Sequence, residues 1–64
     1  MIPWYIVVSH GANGRLVRAT ACSWRDPLVR LARAHGFPLE VIGPMSRTVA
    51  MQIMRLLWRE IDRE

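Results

Sequence analysis

Lysine is absent from this 64-residue chain, and acids are scarce. All nine basic side chains are arginine: Arg15, Arg18, Arg25, Arg30, Arg33, Arg47, Arg55, Arg59 and Arg63. GC-rich coding explains a preference for arginine over lysine, but not the shortage of acids. Three of the five acids, Glu60, Asp62 and Glu64, crowd the last five residues. Residues 1–59 hold eight arginines against Asp26 and Glu40, a net charge of +6. Such a body attracts polyanions at long range.

Cysteine is limited to Cys22, which excludes an internal disulfide framework, and no metal-ligand spacing surrounds it. One thiol without partners suits the cytoplasm. Long apolar runs are missing as well. Trp4 to Val8 is too short for a signal-peptide core or a membrane span. Length sets a further limit. A domain this small buries only about 60% of the surface its unfolded chain exposes, so a deep cleft between subdomains is excluded. No Ser, Cys, His and Asp set has the spacing of a catalytic triad. His10 and Cys22 fall at opposite ends of one hairpin and should share no metal. The reading is non-enzymatic, with no metal and no cofactor.

What is present is an apolar fraction of 52%, enough for a packed core. Trp4-Tyr5-Ile6-Val7-Val8 is β-branched and aromatic, as strands are. It runs into Gly11-Ala12-Asn13-Gly14, where Asn-Gly signals a type I′ hairpin turn. Leu16 to Cys22 returns. With Asn13-Gly14 as a two-residue loop, Ala12 faces Arg15, His10 faces Val17, Val8 faces Ala19 and Ile6 faces Ala21. The other side pairs Ser9 with Arg18, Val7 with Thr20 and Tyr5 with Cys22. One face is apolar and the other mixed, and a one-residue slip would scramble both.

Asp26-Pro27 opens a helix that runs to His35, with Gly36 and Pro38 ending it. Leu28, Leu31, Ala32 and His35 share its apolar face, and Arg30 and Arg33 point away. A packed histidine is the ordinary reading of His35. Leu39 to Ile42 forms a third strand before Gly43-Pro44, and Ser46 caps a helix from Arg47 to Ile61. The class is α+β: one domain over 1–64, in the order β-β-α-β-α. It has a three-stranded, mainly antiparallel sheet and two helices.

The last helix is apolar over roughly 200°, twice what a helix lying on one sheet needs. Val49, Ala50, Ile53, Leu56 and Leu57 make the sheet-facing stripe. Gln52, Arg55, Arg59 and Arg63 make a polar strip. Met51, Met54 and Trp58 remain, at i, i+3 and i+7, as a protein interface or as core.

Pro3-Trp4-Tyr5, ten residues of hairpin and then Leu16-Val17-Arg18 resemble the spacing of the GIY-YIG nuclease family. The order β-β-α-β-α resembles that family's core over nearly the whole chain. The resemblance places Tyr5 at its first tyrosine, Arg30 or Arg25 at its helix arginine, and Met54 at its metal-binding glutamate. Leu16 stands where the second tyrosine belongs, and Arg18 where a glycine does. A nuclease of this kind needs the carboxylate-held metal and the tyrosine. The resemblance therefore implies a scaffold without the chemistry.

Two functions follow. In the first, a non-catalytic module engages DNA, RNA or a nucleoprotein complex through Arg18, Arg30, Arg33, Arg55 and Arg59, with Tyr5 as a stacking ring. In the second, a compact regulator or inhibitor of the kind phages encode meets a protein partner. Its contact is Met51, Met54 and Trp58, in the simplest case between two copies of the chain.

Overall fold

The structure is a computed structural model and describes residues 2–62. Five elements follow the expected order: β1 (Trp4–His10), β2 (Leu16–Ser23), α1 (Pro27–His35), β3 (Leu39–Met45) and α2 (Arg47–Ile61). The strands form one antiparallel sheet in the order β2-β1-β3. The α+β class and the β-β-α-β-α order are as the sequence predicts.

β1 is the central strand, and its alternating residues feed two cores. Tyr5 and Val7 point to α1 and pack with Cys22, Val29 and Ala32. Ile6 and Val8 point to α2 and pack with Ala19, Ala50 and Met54. Both faces of the sheet are therefore apolar where a helix covers them. The helices are offset. α1 lies mainly over β3 and β1, and α2 mainly over β2 and β1. The two helices lie on opposite faces, with the sheet between them.

The hairpin keeps the expected register from Tyr5–Cys22 to Ser9–Arg18 and then departs from it. His10 pairs with Leu16, so Val17 is the extra residue of a bulge. The turn is the cause. Gly14 N–H donates to the Gly11 carbonyl (2.9 Å) and Gly11 N–H to that of Arg15 (2.7 Å). Gly14 alone takes positive φ, at 79°, and Asn13 does not. A type I′ turn needs positive φ at both central residues, so this is a longer loop closed by a left-handed glycine. The bulge returns Leu16 to the α2 core and leaves Val17 exposed.

Both helices start at the expected caps. Asp26 Oδ1 accepts from Leu28 N–H at 2.9 Å, and Ser46 Oγ from Val49 N–H at 3.2 Å. α1 is rotated from its expected face: Val29 and Ala32 are buried, while Leu31 and His35 are exposed. Val29 and Ala32 are the side chains that meet the Tyr5 ring and Cys22.

β3 runs through Gly43-Pro44, where a boundary was expected. An edge strand tolerates proline, because one row of its backbone groups needs no ladder partner. The β1–β3 register shifts between Trp4 and Ile6, opposite Gly43. Gly43 has φ 131°, and a Cβ there would lie 2.8 Å from the Trp4 carbonyl oxygen and 2.9 Å from the Tyr5 ring. No L side chain fits comfortably, and neither neighbour is free to move. Gly43→Ala should therefore lower stability by about 2–3 kcal/mol. A urea midpoint equal to that of the parent protein would contradict this reading.

Candidate functional site

Seven of the arginines divide into two sets by what they touch. Three cover aromatic rings: Arg33 over Tyr5 (4.8 Å), Arg25 over Trp24 (5.2 Å) and Arg47 over Trp4 (5.5 Å). Such contacts contribute about 0.5–1 kcal/mol each at exposed sites. Arg18, Arg30, Arg55 and Arg59 are exposed, and their side chains make no hydrogen bond, ion pair or ring contact among the described residues. Arg63 lies outside the described residues.

The six residues expected to bind nucleic acid do not form one surface. Arg30 and Arg33 stand on α1, and Arg55 and Arg59 on α2, across the sheet. Arg18 is on the edge strand β2. Tyr5 is only 7% exposed, with its ring inside the α1 core and Arg33 over it. It offers no open stacking face. The central strand places residue 5 beneath α1, which the hairpin pattern alone does not reveal.

The expected interface stripe divides too. Met54 is 9% exposed and belongs to the α2 core, whereas Met51 and Trp58 are 38% and 52% exposed. The sheet-facing stripe is Ala50, Ile53, Met54, Leu57 and Ile61. Val49 and Leu56, expected within it, are exposed. The buried face is turned roughly 60° about the helix axis from the expected one. Small residues account for this. β2 presents Ala19 and Ala21 to α2, and Ala50 is fully buried on the helix. The helix settles close to the strand there, and the unbranched Met54 fills the space beside them. The alternation Ala19-Thr20-Ala21 was the available signal.

This seating leaves a groove between α2 and β2. Its floor is Ala19, Ala21 and Met54; Arg18 and Val17 border it on the strand, and Trp58 and Ile61 on the helix. It encloses about 480 Å³. A second depression of about 610 Å³ shares Ala21, Met54 and Trp58 and adds Met51, Arg55 and Arg59. A third continues through Met51 and Arg55 to Gln52 and Arg47. At the other end, Val17 and Ile61 join the groove to Leu16, Asn13 and Arg15. The four make one track along α2. Among the described residues five arginines line it, and none of the lining residues is acidic.

Elsewhere, α1 carries a shallow apolar surface at Pro27, Leu28, Leu31 and Ala34 beside Arg30. Among the described residues no three His, Cys, Asp or Glu side chains gather where a metal would sit. No described helix is long and apolar enough to cross a membrane. Tyr5 and Met54, the positions that the GIY-YIG resemblance assigns to tyrosine and metal-binding glutamate, lie in different cores on opposite faces of the sheet. No protein-family model, curated protein or solved structure matches this chain.

Met54→Ala should cost about 2–4 kcal/mol in urea unfolding, as buried methionines do. Trp58→Ser should cost under about 1.5 kcal/mol and keep the helical signal. The reverse order would place Trp58 in the core. Cys22 gives a second check. Burial pushes its thiol pKa up, and the Asp26 carboxylate adds to the shift. The folded thiol therefore stays protonated at neutral pH and should react with a disulfide reagent only as fast as the protein opens. Raising the pH through the ordinary thiol range should destabilise the fold, because the unfolded chain loses that proton first. Rapid labelling in native buffer would contradict the assignment.

Proposed function

We propose that this chain is a non-catalytic binding module that engages nucleic acid, or a nucleoprotein complex, along the α2 track. The observation that carries the reading is a run of arginines beside a half-exposed tryptophan, with no acid among the described lining residues. Guanidinium groups donate paired hydrogen bonds to phosphate. Arg18, Arg55 and Arg59 make no contact among the described residues that binding would have to break. Phosphate contact displaces counterions from the polyanion, so affinity falls steeply with salt. Arg30 is a separate contact on the α1 side, and Arg33 remains with the Tyr5 ring. A single buried thiol suits a reducing, cytoplasmic setting.

The exposed apolar groups favour a second reading. Val17, Met51 and Trp58 lie beside β2, an edge strand without proline or glycine to blunt pairing. A protein partner, or a second copy, docking there would make this a regulator or inhibitor. Salt separates the two, because an apolar contact responds weakly to ionic strength.

Changing Arg55 and Arg59 together to Gln should weaken binding to unrelated nucleic-acid sequences about equally. It should flatten the salt slope by roughly one to two units. Stability should stay within about 0.5 kcal/mol, because both side chains face solvent. Fluorescence anisotropy across a salt series reads the first two expectations, and urea unfolding reads the third. An unchanged slope would remove these arginines from the site.

A further inference from the structure

Resting on the nucleic-acid reading, we infer that the track takes a single strand, with one base seated against Trp58. The groove suits a flat ring. Its floor of Ala19, Ala21 and Met54 is low because two of those side chains are small, and the indole stands half-exposed beside it. A flat heterocycle entering there meets an aromatic wall and an apolar floor. A duplex keeps its base faces stacked inside and offers phosphate ridges and groove edges, so Trp58 finds no free base face to stack on. An unpaired base has a free π-face, and stacking on an aromatic side chain tolerates any sequence.

The charges are placed for the backbone of such a strand. Arg55 and Arg59 flank Trp58 on α2; Arg18 borders the groove on the edge strand β2, but its register with Ser9 turns its side chain to the opposite face of the sheet. α2 rises about 22 Å over its length. That matches roughly four nucleotides, the lower end of the range for small single-strand sites. The alternatives fit less well. An acidic peptide would satisfy the arginines but leave the indole without a flat partner. A second copy related by a two-fold axis would bring these same arginines face to face, with no acid among the described lining residues to separate them.

The test uses the full chain, labelled 12-nucleotide oligo(dT) and oligo(rU), a 12-base-pair duplex and a 12-residue polyglutamate, at low and moderate salt. Either single strand should bind at least tenfold more tightly than the duplex. Trp58→Leu should lose roughly tenfold to a hundredfold on the single strand and nothing on the duplex. Trp58→Phe, which keeps a ring, should retain most of the affinity and guards against a folding artefact. Equal affinity for single strand and duplex, lowered by Arg55→Gln with Arg59→Gln but not by Trp58→Leu, would overturn this inference and leave nucleic-acid binding standing. Failure of every nucleic acid to bind at low salt would remove both. Polyglutamate binding as tightly as oligo(dT) would overturn it in favour of an acidic protein partner. A parent protein that sediments as a dimer, becomes monomeric in Trp58→Leu and keeps its affinity for oligo(dT) would assign the groove to self-association.

Discussion

β1 has to satisfy two cores at once, and the rest of the molecule is arranged around that demand. Its alternating side chains point to opposite faces, and Tyr5, Ile6, Val7 and Val8 are all buried. A three-stranded sheet with both faces apolar needs cover on both sides, and this chain has two helices to supply it. One helix of ordinary diameter covers about two strands at the 4.7–4.9 Å strand spacing. Each helix therefore takes β1 and one neighbour. α1 takes β3, and α2 takes β2. The offset leaves each edge strand bare on one face.

The bare margins account for the surface the molecule keeps. A compact monomer of this mass would expose about 4,200 Å²; this one exposes 4,775 Å². The flat outline, 12 Å through its thinnest Cα extent, is the geometric reason. Val17, Met51 and Trp58 are exposed as a consequence of where α2 sits, and β2 can bring no bulkier group to cover them. The contact that buries Ala50 and Met54 is the one that opens the groove.

Much of this arrangement was legible in the residues. Strand pairing from Tyr5–Cys22 to Ser9–Arg18 follows from apolar alternation, and both helix starts follow from Asp26-Pro27 and Ser46. The turn was not legible, because Asn13-Gly14 also suits a loop in which only the glycine is left-handed. The rotation of α2 was hidden for a different reason. A helix apolar over 200° has no single face that its own sequence marks as buried. The small side chains of β2 choose, and they lie on another element. Tyr5 reads as surface for a similar cause, since its burial depends on α1 crossing that part of the sheet. The residues that moved between core and surface are those whose environment a second element decides.

The missing lysine then has a structural side. Arg25, Arg33 and Arg47 lie over Trp24, Tyr5 and Trp4, and each ring sits at an element end or beneath a short helix. A planar guanidinium covers an aromatic face and keeps its edge hydrated; an ammonium is a compact, strongly hydrated charge that covers less. In so thin a domain those side chains serve as roofing for rings that no third helix covers. In the proposed nucleic-acid reading, Arg55 and Arg59 on the track would use the same plane as a fork of donors toward phosphate. Replacing each track arginine by lysine would hold the charge and the long-range attraction while removing the fork. In Arg25, Arg33 and Arg47 planarity closes the fold, and in Arg55 and Arg59 it is left open at the groove.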